Sequence, residues 1–269
     1  MRLVAVLAAL VQGVAPALAA VPSPIHLAST RAVYDVALER TSGGDVVAAR
    51  GRMAIDFRDV CDGWSTTQRL VADLTGSDGT PTRTDFFVTA WESRDGRTMR
   101  FDIADRRDGK TTSRQRGSAA LDPDGAGHVT LVAGKPHEFS LPRGTQFPTA
   151  QILSILNAAE AGATTQRHIV FQGGDRSDLN FSTALIGHAL PDAALAAARS
   201  AGRGSVMRGV PAWPVLTSFF PLAARAEEPD YEVATQLFAN GVNGSMSLIY
   251  PTYTLRATLT RVESLPPRC

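Results

Sequence analysis

The sequence predicts a mainly β protein, one long antiparallel sheet curled around a core and interrupted by a single central helix. Three observations carry this. Apolar and polar residues alternate with period two along most of the chain, Asp-Gly pairs separate the alternating runs, and a helical period replaces the alternation once, over 148–161.

The elements follow in order. From Arg31 onward, Tyr34, Val36 and Leu38 fall on one face of a strand, with Val33, Asp35 and Glu39 on the other. Ser42-Gly43-Gly44-Asp45 supplies turn chemistry, after which Met53, Ile55 and Phe57 alternate with Arg52, Asp56 and Arg58. Strand-like runs over 64–74, 83–91, 98–105, 111–121, 128–132 and 137–141 are punctuated by Asp78-Gly79, Asp95-Gly96, Asp108-Gly109 and Asp124-Gly125. Asp-Gly suits tight hairpin turns in which both central positions take positive φ, so a long meander is expected.

The period changes at Phe147-Pro148-Thr149. Ile152, Ile155, Leu156 and Ala159 recur at helical spacing, Pro148 suits the first turn, and Gly162 suits the end. The amphipathic helix over 148–161 is expected to plug or cover the sheet. Strands resume over 166–171 and 179–189. The Ala-, Arg- and Gly-rich stretch 191–210, with Asp192 placed as an N-cap, reads as an exposed, mobile excursion, two helical turns at most with little to bury. Strands over 213–219 and 232–238, a last hairpin through Asn240-Gly241 and Asn243-Gly244, and a final strand over 254–262 complete the chain.

Residues 1–19 read as a secretory signal: Arg2, an apolar run from Leu3 to Val14, and Ala17-Leu18-Ala19 as a small-x-small cleavage site near Ala19/Ala20. The apolar run is too short to span a bilayer, so the expected product is an exported, periplasmic chain, 20–269, forming one β domain that does not cross a membrane. Without Arg2, 26 basic residues face 26 acidic ones, which argues against nucleic acid as a partner. The two cysteines, Cys61 and Cys269, are most simply one disulfide in an oxidising compartment, closing a loop of about 208 residues. A reactive thiol at Cys61 and a bond between chains are the alternatives, weakened by the lack of a Cys-x-x-Cys or an activating His or Lys nearby.

No catalytic constellation emerges. The five histidines form no metal-ligand spacing, Asp122-Pro123-Asp124-Gly125 lacks the terminal Glu of a calcium loop, and neither Gly-x-Ser-x-Gly nor a phosphate-cradling glycine loop occurs. No cofactor or metal is therefore expected, and none of the residues is assigned a catalytic role. Arg94, Arg97, Arg100, Arg106, Arg107, Lys110, Arg114 and Arg116 make a basic stretch, but Asp95, Asp102, Asp105 and Asp108 are interleaved, so a mutually paired, solvated face is expected.

Arg31-Ala32-Val33-Tyr34-Asp35, Cys61-Asp62-Gly63-Trp64, Trp91-Glu92-Ser93, Phe147-Pro148-Thr149, Trp213-Pro214-Val215, Asn240-Gly241-Val242 and the terminal cysteine, taken together, resemble the EipB family of alphaproteobacterial periplasmic proteins. The resemblance implies a β-spiral, a twisted open barrel of one sheet around a helix, with the two cysteines bonded. It also implies a role in cell-envelope integrity without a known catalytic activity, and a periplasmic partner carrying tetratricopeptide repeats. Thr30 and Tyr250-Pro251-Thr252-Tyr253 depart from the family pattern. The functional expectation is thus a non-enzymatic binding factor whose sheet face and edges dock a protein. The competing expectation is a carrier or sensor of lipid held between sheet and helix, lined by Ile152, Leu153, Ile155, Leu156 and Trp213.

Overall fold

The computed structural model describes residues 25–133, 136–203, 205–222 and 227–266; the signal read at 1–19 and Cys269 lie outside them. Its strands are β1 (Thr30–Thr41), β2 (Val46–Asp59), β3 (Gly63–Gly76), β4 (Pro81–Ser93), β5 (Thr98–Arg107), β6 (Lys110–Leu121), β7 (Gly127–Ala133), β8 (His137–Leu141) and β9 (Thr145–Gln146), then helix α1 (Pro148–Glu160). There follow β10 (Thr165–Phe171), β11 (Leu179–Ile186), helix α2 (Asp192–Ser200), β12 (Ala212–Pro221), β13 (Tyr231–Phe238), β14 (Asn243–Ile249) and β15 (Tyr253–Ser264).

All fifteen strands join one sheet in the order β8-β7-β6-β5-β4-β3-β2-β1-β15-β14-β13-β12-β11-β10-β9. The first strand therefore lies at the centre, paired on one side with its neighbour in sequence and on the other with the last strand. Two meandering arms lead away from it. A sheet this wide curls rather than staying open, and here it forms a nearly closed barrel. The ends of the two arms meet where the Phe139 ring on β8 packs edge-on to the Phe171 ring on β10, centroids 5.9 Å apart.

The Asp-Gly turns fall between strands as expected, but only Asp108-Gly109 has positive φ at both residues. In the other three the glycine alone does, because loops of four or five residues need a left-handed residue only where they close. Strand β11 stops at Ile186, short of the expected 189. The last hairpin turns at Tyr250–Thr252, while Asn240-Gly241 joins β13 to β14. The two-residue β9 is parallel to β10, and an isolated bridge from Gly202 to Val262 is parallel too; the other described strand pairs are antiparallel.

The expectation of an exposed stretch at 191–210 is corrected in part: most of its described residues are exposed, but it is not without residues to bury. Leu195 is fully buried, and Ala198, Val206 and Met207 join it in a core cluster with Tyr34, Val36, Met246, Ala257 and Val262. The stretch has few apolar residues, but Leu195 and Ala198 share one face at i, i+3, which suffices for a short helix to close an end of the barrel. Polar bonds hold it there: Asn240 Nδ2 donates to the Val206 carbonyl at 2.7 Å and the Arg203 amide to the Val262 carbonyl at 2.7 Å. Asp192 is the first helical residue and not the cap, its carboxylate instead pairing with Arg199 at 2.7 Å. Leu195→Ala is expected to cost about 2–5 kcal/mol of stability, measured by urea unfolding, as for other fully buried leucines; a change within about 0.5 kcal/mol is the result for an exposed helix.

Candidate functional site

Three of the sequence motifs meet at the start of α1. Cys61-Asp62-Gly63-Trp64 opens β3 and Trp91-Glu92-Ser93 closes β4, and the two pair directly, Gly63 opposite Ser93 and Trp64 opposite Glu92. Gly63 has no alternative, because a Cβ there would lie 2.0 Å from the Glu92 carbonyl oxygen. The turn before it is clamped by Arg94, whose amide donates to the Asp62 carbonyl at 2.9 Å and whose guanidinium donates to the Cys61 carbonyl at 3.1 Å. The same guanidinium bonds Asp59, holding that carboxyl below its ordinary pKa, and lies over the Trp64 ring at 4.6 Å. Cys61 takes φ of 70° in this turn.

Helix α1 has Phe147 at its N-cap and no side-chain acceptor of its own. Glu92 supplies one from the sheet: its carboxylate accepts the Thr149 amide at 2.9 Å and the Thr149 hydroxyl at 2.8 Å. A carboxylate at a helix N-terminus satisfies an otherwise unpaired amide and complements the dipole. Glu92 is only 3% exposed, and burial pushes its pKa up to about 7 against the opposing pull of the Thr149 bonds. At the other end, the Gly162 and Ala163 amides return to the Ala159 and Ala158 carbonyls, a Schellman ending. One turn into the helix, Gln151 donates to the Ser182 hydroxyl at 2.6 Å.

Of the five residues expected to line a ligand site, Ile155, Leu156 and Trp213 are buried together with Ile186, Val215 and Leu237, and Ile152 packs on this cluster. Leu153 is partly exposed and stands outside it. The interface of α1 with the sheet is thus packed core.

The outer surface of the sheet has two characters. On the β1–β6 arm, outward arginines and aspartates pair across strands: Arg31 with Asp56, Arg69 with Asp85 at 2.8 Å, and Arg114 and Arg116 with Asp102. The paired face expected of the basic stretch forms in part: of the interleaved aspartates Asp102 alone takes arginines, Arg114 and Arg116, while Arg94 and Arg106 pair with Asp59 and Asp85. An open concavity of about 500 Å³ lies on this arm, lined by Trp91, Arg100, Arg116 and Val132, with Arg100 over the Trp91 ring at 5.2 Å. The face of β10–β12 that carries Phe181 is different: at one end its Phe171, Leu179 and Ile169 pack into the core cluster of Phe101 and Phe139, and beyond them it opens outward. Phe181 is 38% and Leu185 50% exposed, flanked in register by Ile169 and Phe220 and by Leu216. The alternation of β11 signals one buried face; nothing local signals that the other face is also apolar, and sequence reading missed it.

A family model described as EipB-like matches residues 22–266. The cell envelope integrity protein EipB of Brucella abortus (strain 2308) is 27% identical over 252 residues, covering 91% of this chain and 87% of that protein. The crystal structure of a beta-barrel-like protein of a domain of unknown function, also from Brucella abortus, matches with a TM-score of 0.80 at 26% identity, covering 90% of this chain and 100% of that one.

Because the Glu92 pKa is raised on folding, the native state binds an extra proton between about pH 4.5 and pH 7. Its contribution is present in full below pH 4.5 and lost as pH rises through 7. Relative to Glu92→Gln, the wild type should lose on the order of 3 kcal/mol between pH 4 and 8. Denaturant midpoints of the two proteins across that range measure it; parallel curves would contradict the assignment.

Proposed function

The chain belongs to the EipB-like family, and from that premise we propose that it is a non-enzymatic periplasmic factor for cell-envelope integrity that acts by binding a protein partner, one built of tetratricopeptide repeats. The exposed apolar outer face of β10–β12 carries the reading. The outer face of the β1–β6 arm is laced with ion pairs and Val132 is exposed singly on β7, whereas Phe181 and Leu185 are exposed beside partly buried Leu216 and Phe220. Contiguous apolar surface of that kind is the usual mark of an interaction site. Exposed Arg167 on the adjacent strand gives the patch a cationic rim facing an open sheet edge.

The absence of catalysis is proposed on the roles of the motif residues. Glu92 caps a helix, Arg94 clamps a turn, Gly63 permits a close approach and Trp213 fills core, so the residues carrying the family likeness make the fold. The relative named for envelope integrity supports the compartment, together with the signal read at 1–19. Among the described residues no helix is long and apolar enough to cross a membrane.

Phe181→Ser with Leu185→Ser should abolish protection of a deletion strain against detergent while shifting the melting temperature by no more than about 2 °C, since both side chains are outside the core. A photo-crosslinker at Thr183, between them, should capture a repeat protein. Full complementation by the double variant contradicts the proposal.

A bond between Cys61 and Cys269 belongs to the same proposal. The described tail ends at Pro266, whose carbonyl accepts Arg58 at 3.3 Å, and Leu265 donates to the Ser29 carbonyl at 2.8 Å. Cys269 follows three residues later in the sequence, a reach of about 10 Å for an extended chain. Reduction is expected to lower stability by about 2–5 kcal/mol, and thiol titration of unfolded, unreduced protein to find none; two thiols per chain would remove the bond.

A further inference from the structure

The outer surface of β4–β7 carries a cationic excess that the fold leaves uncompensated. Trp91, Arg100, Ser118 and Thr130 stand opposite one another on four successive strands, and Thr89, Asp102 and Arg116 form the adjacent row on the same face. Ser118 therefore has Arg100 across from it and Arg116 two residues along its own strand. The open concavity of about 500 Å³ is lined by Trp91, Arg100, Asp102, Arg116, Ser118 and Val132.

Charge does not balance there. Asp102 accepts Arg114 at 2.9 Å as well as Arg116, so one carboxylate faces two guanidinium groups. Arg100 pairs with no carboxylate among the described residues; its guanidinium lies over the Trp91 ring at 5.2 Å. Stacking occupies the flat face of a guanidinium and leaves its N–H edge able to donate. The exposed Ser118 hydroxyl takes no partner among the described residues. Of the neighbouring carboxylates, Asp62 accepts the Trp91 indole N–H at 3.4 Å, and Glu138, two strands beyond Ser118, accepts the Thr130 hydroxyl at 3.2 Å.

A break in the ladder supplies an apolar flank. The register shifts between Arg116 and Gly117, whose partners Ala133 and Leu131 leave Val132 between them. Gly117 permits this approach, because a Cβ there would lie 2.4 Å from the Thr130 carbonyl oxygen. The bulge presents Val132 to solvent, 62% exposed, at the rim that Arg116 shares.

We propose that this concavity binds a phosphomonoester, its oxygens taken by the Arg100 and Arg116 guanidinium groups and the Ser118 hydroxyl, its organic part lying against Trp91 and Val132. The three donors stand at the corners of a triangle, which matches the three oxygens of a tetrahedral group; a carboxylate offers two oxygens in one plane. The cationic excess favours a dianion over a monoanion. The phosphate belongs either to a soluble ester or to a lipid headgroup, and an open concavity on an exposed face admits both. The site is separate from the face that carries Phe181 and Leu185 and does not rest on the reading of that face.

The test titrates phenyl phosphate into the full mature chain at about pH 7.5, where a phosphomonoester is mostly dianionic. It follows the Trp91 indole N–H resonance, identified by its loss in Trp91→Phe. A saturable shift near one equivalent per chain is expected, with phenylacetate binding roughly tenfold more weakly. Arg100→Gln with Arg116→Gln should weaken phenyl phosphate by roughly tenfold or more, the scale of lost charge-assisted hydrogen bonds. Asp102 keeps Arg114 in that variant, so its fold is retained. Val132→Glu, at an exposed position, leaves both arginines in place and should weaken binding by repulsion, and Ser118→Ala should narrow the preference over phenylacetate. Phe181→Ser with Leu185→Ser should change nothing. Cosedimentation with vesicles of phosphatidylcholine and phosphatidic acid in equal parts separates the two sources. Pelleting of the wild type with these, but not with phosphatidylglycerol in place of phosphatidic acid, marks a lipid headgroup, whereas binding of phenyl phosphate without pelleting marks a soluble ester. Absence of a saturable shift, equal binding of phenylacetate, equal pelleting with both anionic lipids, or binding unchanged in the arginine variant overturns the proposal.

Discussion

The pairing of the first strand with the last is the constraint on which the rest of the structure depends. β1 and β15 run side by side from Thr30 opposite Ser264 to Thr41 opposite Tyr253, and β1 pairs with β2 on its other edge. This buries Ala32, Tyr34, Val36, Ala257, Leu259 and Val262 in the interior. Closing a contact between residues so far apart in sequence carries a loop-entropy cost, but that cost grows only with the logarithm of the loop length. The pairing is long and its inner face mostly apolar, from Ala32 to Leu38 and from Leu255 to Val262, so burial offsets the closure. Two register shifts, at Val33/Tyr34 and Leu38/Arg40, interrupt it. Bulges increase local twist, and twist at the centre of a wide sheet is what turns its arms toward each other.

From that joint outward, polarity is divided by the pleat. Arginines and aspartates alternate onto the outer face of the β1–β6 arm and pair there, while the inner face is mainly apolar, with scattered polar residues such as Gln68, Thr84, Asp105 and Gln115. Exposed ion pairs of this kind add little stability each. Their effect is to keep a long, wide sheet soluble and its outer face unattractive to other strands. The outer face of β10–β12 lacks that protection, which is why it stands out as an interaction surface. Helix α1 is held in place by Glu92, a residue of the opposite arm, so the helix serves as a brace between arms as well as a cover.

Much of this was legible in the sequence because it is local. The alternation of β1 through β8, the Asp-Gly turns and the extent of α1 all follow from spacing within a few residues. What was not legible depends on partners distant in the chain. Glu92 reads as a polar residue in a strand, and its role exists only because Thr149 arrives beside it. Leu195 and Ala198 look too few to bury, yet two apolar residues are enough when a barrel end stands open to receive them. The central place of β1 is fixed by β15, and no window of sequence contains both. Phe181 and Leu185 were overlooked for a related reason: strand periodicity identifies the buried face and is silent about how polar the other ought to be.

Native-state hydrogen exchange of the full mature chain tests the joint directly. If the β1–β15 pairing holds both arms, the amides of residues 32–38 and 255–262 exchange only through global unfolding, with the same denaturant dependence as unfolding itself and the highest free energy in the molecule. The account is contradicted if those amides open by local fluctuation while the β3–β5 and β11–β13 arms remain protected, because each arm would then be stable without the joint.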